Sequence, residues 1–170
     1  MAHRLLVIRH AIAEKKEIFA RSGKADTLRP LTTRGRKKMK RSAEGLSKII
    51  PRVDLLATSS FTRAVQTAEI LSRYYPNAHM IETESLKPEE KPESFLAWLK
   101  SYKSQRTVAI IGHEPHLSEL CSYLVGGTTR PLLHLKKGGV CVIDFYDKVD
   151  KGRGIFVYLM EPVVLEKIAS

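Results

Sequence analysis

Three short stretches of the chain, residues 5–8, 53–57 and 108–111, are apolar with little polar alternation. A strand with one wet face alternates, so a nearly unbroken apolar run demands cover on both faces, the condition of a parallel sheet packed between helices. Between these runs, apolar residues recur at helical spacing: Met39, Ala43, Leu46 and Ile50; Val65, Ala68, Leu71 and Tyr75; Phe95, Trp98, Leu99 and Tyr102; Leu117, Leu120, Cys121 and Leu124. Strand and helix therefore alternate, which predicts an α/β fold with three layers and a mainly parallel central sheet.

Boundary signals agree. Thr32 or Thr33 is expected to cap the first long helix and Pro51 to close it, Ser59 or Ser60 to cap the next, and Pro115 to take a first helical position. Beyond Gly126-Gly127, residues 140–145 and 155–160 read as two strands of a closing hairpin, joined by a polar turn through Asp150 and Gly152. Residues 11–31 and 83–94 read as long loops. The 170 residues suit a single domain spanning 1–170. No apolar run approaches the ~20 residues of a membrane span. The apolar start is broken at once by Arg9 and His10, so a buried strand and a cytoplasmic location are expected rather than a signal segment. Cys121 and Cys141 lie outside any C-x-x-C spacing and read as two small buried hydrophobes. The net charge of +11 favours anionic ligands without choosing among phosphates, acidic proteins and nucleic acid.

Arg9-His10 directly follows the first apolar run and Gly112-His113 the run at 108–111, while the run at 53–57 leads through Ser59 to Arg63 in the first turn of a helix. Ligands of open parallel sheets bind outside the carboxyl ends of the strands, so three strand ends aim Arg9, His10, Arg63 and His113 at one crevice. Each alone has an ordinary structural reading: a solvated Arg-His pair, a helix-surface arginine, a buried histidine. Together they match a phosphoryl group, whose oxygens take guanidinium forks and helix N-terminal N–H groups.

Four segments then carry a resemblance. Leu6-Val7-Ile8-Arg9-His10 resembles the Arg-His signature of the histidine phosphatase superfamily, with its phosphoglycerate-mutase-like fold. Arg29-Pro30-Leu31-Thr32-Thr33-Arg34-Gly35 is similar to the family's R-P-L-T-x-x-G segment, Ser59-Ser60-Phe61-Thr62-Arg63-Ala64-Val65-Gln66-Thr67 to its S-x-x-x-R-A-x-Q-T segment, and Gly112-His113-Glu114-Pro115 to its second histidine. The short length and the R-P-L-T segment resemble the SixA-like phosphohistidine phosphatase branch. The resemblance implies that His10 is the nucleophile, that Arg9, Arg63 and His113 hold the phosphoryl oxygens with help from Ser59, and that no metal or other cofactor takes part. The chemistry agrees: a neutral imidazole attacks phosphorus, water hydrolyses the phosphohistidine, and positioning with positive charge supplies most of the acceleration.

The chain departs from the pattern twice. Ala11 replaces the family's usual glycine after the catalytic histidine and is expected to crowd the pocket. Leu86-Lys87-Pro88 stands where larger members place an acid in an L-x-E segment. Asp26 is the first candidate for a proton donor in its place, with Glu84, Glu89 and Glu114 as weaker candidates, and each reads more simply as a solvated loop carboxylate. The missing acid favours protein phosphohistidine as substrate, because a protonated imidazole leaves readily. A small phosphorylated metabolite is the alternative within the class. Outside it stands a non-catalytic module for phosphorylated or nucleic-acid ligands, against which the central place of His10 speaks. Phosphorylated partners are thus expected, and nucleic acid is not; the oligomeric state is open at this level.

Other features read blandly. Six of the eight residues 34–41 are basic, expected to form a solvated outer helix face because Met39 belongs to the buried stripe. His113-x-x-His116 lacks the further ligands of a metal site, and Gly138-Gly139 lacks the Lys-Ser or Lys-Thr of a phosphate loop and reads as a turn. His3, His79 and His134 read as incidental.

Overall fold

The computed structural model describes residues 3–170. Its six strands, β1 (His3–Arg9), β2 (Leu55–Thr58), β3 (His79–Glu82), β4 (Thr107–Gly112), β5 (Val140–Phe145) and β6 (Ile155–Met160), form one sheet in the order β3-β2-β4-β1-β5-β6. β1 to β4 are parallel, and β5 is antiparallel to both β1 and β6, so only β5 runs against the rest. The hairpin of β5 and β6 is the one expected. Leu5 to Ile8 at the sheet centre have no accessible surface, as their unbroken apolar run requires. Leu6 and Ile8 pack on one face with Met39, Ala43 and Leu46, Leu5 and Val7 on the other with Phe95, Leu99, Leu117 and Leu120. Each such side chain contributes about 1.5–3 kcal/mol by leaving water.

The described residues form six helices, α1 (Lys16–Phe19), α2 (Thr33–Ile49), α3 (Thr62–Ser72), α4 (Pro92–Ser101), α5 (His116–Gly126) and α6 (Pro162–Ala169), of which the short α1 buries no residue and the others flank the sheet. Thr32 caps α2 as anticipated, its Oγ1 accepting from Gly35 N at 2.9 Å. Ser59 and Ser60 do not cap α3, which begins after Phe61; the Ser59 hydroxyl is engaged at the sheet edge instead. Pro115 stands just before α5 rather than inside it. The stretches read as loops hold α1 and 3₁₀ turns at Ala20–Ser22, Asp26–Leu28 and Glu84–Leu86, each too short to show a hydrophobic period. β3 escaped notice because it is an edge strand ending in His79 and Glu82. Both cysteines are buried free thiols in the core.

α6 was also unforeseen, and it corrects the reading of α2 as a purely solvated basic face. A Cβ on Gly45 would stand 2.0 Å from the Leu165 carbonyl oxygen, so the two helices meet backbone to backbone where only glycine fits. Lys38 pairs with Glu166 at 3.4 Å, and Lys48 donates to the terminal carbonyls of Ile168 and Ala169. Arg36, Lys37 and Lys40 point elsewhere and line a groove with Ile70, Arg73 and Tyr74 of the α3 end.

Candidate active site

β1, β2 and β4 all end on one edge of the sheet, and the chain leaves each with a functional side chain. His10 N still donates to the Gly112 carbonyl at 3.0 Å, and Ser59 N to that of Ile111 at 3.1 Å, so the strand ends are locked side by side. His113 thereby emerges next to His10, with ring centroids 5.2 Å apart. Arg63 follows Ser59 in the first turn of α3. His10, Ser59, Arg63 and His113 are buried and Arg9 half-buried. All the residues singled out at the strand ends are therefore brought together, and Asp26 joins them on the crevice wall.

The tautomer of His10 follows from one contact. His10 Nδ1 lies 2.7 Å from the Ala11 carbonyl oxygen. A carbonyl only accepts, so Nδ1 carries the proton and Nε2 keeps its lone pair. Burial pushes the imidazole down to about 3; the Ala11 carbonyl opposes this, and the charges of Arg63, Arg9 and Lys137 add to it. The ring is uncharged at neutral pH, the state in which an imidazole has a lone pair to offer.

Around it stand cations and donors held from behind. Arg9 Nη1 donates to the Leu135 carbonyl at 2.8 Å and Arg63 Nη1 to that of Asp26 at 3.0 Å. His113 Nε2 and Ser59 Oγ are hydrogen-bonded at 2.9 Å, and burial, with the nearby His10 and Arg63, holds His113 well below its ordinary value. Phe61 packs its ring against His113 and beneath the Arg63 guanidinium, 5.0 Å from its centroid. Arg9 Nε, Arg63 Nε and His113 Nδ1 are buried and find no partner among the described residues. An unsatisfied buried polar group costs about 1–3 kcal/mol. Arg9, Arg63 and His113 line one crevice, and an oxyanion there would meet their guanidinium and imidazole groups.

Of the carboxylates on the crevice wall, Asp26 and Glu114 are already committed, while Glu14 and Glu17 form no ion pair among the described residues. Asp26 meets Arg29 Nε at 2.7 Å and Arg63 Nη1 at 3.3 Å. Burial opposes its ionisation, but the hydrogen bond from Arg29 and the charges of Arg63 and Arg29 outweigh this and hold the carboxyl below its ordinary value. Glu114 accepts from Ser118 Oγ and from Leu135 N. Glu84 pairs with Lys87, and neither Glu84 nor Glu89 lines the crevice; Pro88 does.

Sequence reasoning passed over several participants. Arg29, quoted only as part of a motif, holds the loop by donating to the Glu14 carbonyl at 2.7 Å. Gln66 Oε1 accepts from Leu31 N and Thr67 Oγ1 from Ala11 N, so the tail of the S-x-x-x-R-A-x-Q-T segment ties α3 to both flanking loops. Gly138-Gly139 forms the expected turn, but Gly138 N donates to the Arg9 carbonyl and Arg9 N to that of Gly139, which sets Lys137 on the crevice wall. Partial burial and the charges of Arg9, Arg29 and Arg63 push this lysine down. The crowding expected of Ala11 does not occur: its methyl belongs to the core, its φ is not positive, and it does not line the crevice.

A central parallel sheet with a neutral imidazole and cationic donors at its carboxyl edge defines a phosphoryl-transfer enzyme. Residues 5–90 match the Histidine phosphatase superfamily (branch 1), and the chain belongs to that family, which makes it a phosphatase. It is 33% identical over 138 residues to an uncharacterized protein of Picosynechococcus sp., covering 80% of this chain and 81% of that protein. In fold it is similar to the protein histidine phosphatase SixA complexed with tungstate, at TM-score 0.80 and 23% identity over 95% of this chain and 99% of that one. It is likewise similar to a protein assigned as phosphohistidine phosphatase SixA from Agrobacterium tumefaciens (TM-score 0.78, 20% identity, 94% and 98% covered). A phosphoserine phosphatase from Entamoeba histolytica in complex with 3-phosphoglyceric acid shares the architecture at TM-score 0.66 and 15% identity, with 92% and 96% covered. No helix among the described residues is long and apolar enough to cross a membrane.

Proposed function

We propose that this phosphatase removes phosphoryl groups from protein histidine through a phosphohistidine on His10. The observation that carries the reading is the His10 tautomer: Nδ1–H is spent on the Ala11 carbonyl, leaving the Nε2 lone pair free among the buried donors of Arg9, Arg63 and His113. Those donors take the phosphoryl oxygens. Nε2 attacks phosphorus as the bond to the substrate nitrogen breaks, and its electron pair returns to the departing imidazole. That ring, protonated on its other nitrogen, leaves neutral without an enzyme acid. His10 becomes an imidazolium still bonded to Ala11. Water then displaces it, releasing phosphate and a proton and restoring the lone pair.

Asp26 does not serve as the acid in this reading. A carboxylate held ionised by two arginines has no proton to give near neutral pH, and its work is to aim Arg63. Glu14 and Glu17 also line the crevice and form no ion pair among the described residues, so the preference for phosphohistidine over alkyl phosphates rests on the engagement of Asp26. The second reading is a small phosphate ester, favoured by the lysines of the crevice wall, Lys15, Lys16 and Lys137, which suit a multiply charged metabolite.

Rapid quench with labelled phosphohistidine protein should trap an acid-labile, base-stable adduct that is missing in His10→Ala. Retention of more than a small part of wild-type kcat by His10→Ala would refute the mechanism. Faster turnover of a phosphorylated metabolite than of any phosphohistidine substrate would give the second reading precedence.

A further inference from the structure

β6 is an edge strand whose six residues, Ile155-Phe156-Val157-Tyr158-Leu159-Met160, contain no charge and no proline. Its far side pairs with no strand among the described residues. Ile155 is 55% exposed, Phe156 45%, and Val157 and Leu159 more than a third. Exposed edges are ordinarily guarded by lysine, proline or inward charges, since their free N–H and C=O groups template further pairing. Here the only irregularity is a bulge that leaves Val157 without a counterpart on β5. The apolar surface continues into a hollow lined by Phe156, Leu132, Leu133 and Val125, and past the strand end into exposed Val163 and Val164.

We infer that β6 is the dimer interface of this protein, pairing antiparallel with β6 of a second copy across a two-fold axis at Val157. The charges at its ends select the occupant. Arg153, exposed and in no ion pair among the described residues, precedes the strand, and Glu161, exposed and paired with the likewise exposed Lys136 at 2.8 Å, follows it with an oxygen still to share. The two stand four residues either side of Val157, so antiparallel pairing centred there sets Arg153 of each copy opposite Glu161 of the other. Such a contact is self-complementary, as a two-fold interface must be. Charge also excludes most other places of self-contact: copies carrying +11 repel across their basic faces and approach at least cost through an uncharged strip. An acidic partner would be drawn to the lysines and arginines instead.

Sedimentation velocity of the full chain, from low to high micromolar concentration, should show a species of twice the chain's mass. Val157→Lys should weaken the dimer by about a hundredfold or more, because it juxtaposes like charges on the axis. Arg153→Glu and Glu161→Arg should each weaken it by about tenfold through two symmetry-related exposed pairs. The double reversal should restore it. Circular dichroism checks that each variant folds. A wild-type protein that stays monomeric at high micromolar concentration, or a dimer indifferent to Val157→Lys, would overturn the interface; a double reversal that does not restore association would overturn the antiparallel pairing.

Discussion

At the residue level the candidate site depends on side chains whose orientation is fixed by their neighbours. Asp26 is the clearest case, because its two arginine contacts give opposite predictions for its two conceivable roles. If it aims Arg63, Asp26→Asn loses the same factor on every substrate; if it donates a proton, the loss grows with the basicity of the leaving group. Hydrogen bonds to charged groups contribute about 1.5–3 kcal/mol, so a uniform loss of about tenfold to a hundredfold in kcat/KM is expected. The measurement is kcat/KM across aryl and alkyl phosphates of graded leaving-group pKa. A steep slope in wild type, unchanged in Asp26→Asn, is the expected pattern; a steeper slope in the variant would return Asp26 to the role of acid.

Among the elements, α2 connects fold to site. A Cβ on Gly35 would lie 2.0 Å from the Ile12 carbonyl oxygen, and that same oxygen accepts from Thr32 N. The glycine of the R-P-L-T-x-x-G segment is thus required where the first turn of α2 presses on the loop that leaves His10. Gly35→Ala must move that loop, and overpacking of this kind costs about 1–3 kcal/mol. Thermal unfolding together with kcat should show both stability and turnover reduced, whereas exposed Gly23, with open space around it, marks where the same added methyl meets nothing and only its left-handed φ resists. The other side of α2 gives a second expectation. Arg36, Lys37 and Lys40 with Arg73 line a basic groove, and replacing the four with Gln should lower kcat/KM for a phosphoprotein chiefly at low salt. Turnover of para-nitrophenyl phosphate should barely change; equal losses on both substrates would mean that the groove supports the fold.

For the whole molecule, the buried histidines couple the site to global stability. His10 in the folded chain is pushed down to about 3 from an unfolded value near 6.5, and His113 also lies well below its ordinary value. Between those limits the unfolded chain binds more protons, so stability is full above about pH 6.5 and falls as pH drops toward the folded values, by about 1.4 kcal/mol per pH unit for each histidine. Denaturant midpoints measured from pH 7 to 4 should fall steeply, and less so in a His10→Gln, His113→Gln double variant; identical slopes would sever the link. The unpartnered donors make a complementary prediction. Inorganic phosphate or vanadate should stabilise the fold, by about 2.7 kcal/mol at a hundred times its dissociation constant. Arg63→Ala should remove most of that effect.

Much of this is legible in the sequence. An apolar run with no wet face can only be a strand covered on both sides, and strand ends on a parallel sheet can only gather on one edge, so Arg9, His10, Arg63 and His113 could be assembled from periodicity alone. What escaped depends on contacts between residues far apart in sequence. α6 is held by a glycine and a lysine of α2, Lys137 reaches the crevice because its turn bonds to the Arg9 backbone, and Asp26, the first candidate for a proton donor, sits between two arginines. The sequence by itself determined β1, β2, β4, the β5–β6 hairpin, helices α2 to α5 and the chemistry available at the strand ends, because these follow from local spacing. Only the tertiary structure decided which ring nitrogen of His10 is free, which donors stand unpaired and which carboxylates are already spoken for, because a hydrogen bond is set by a distance that no spacing along the chain contains.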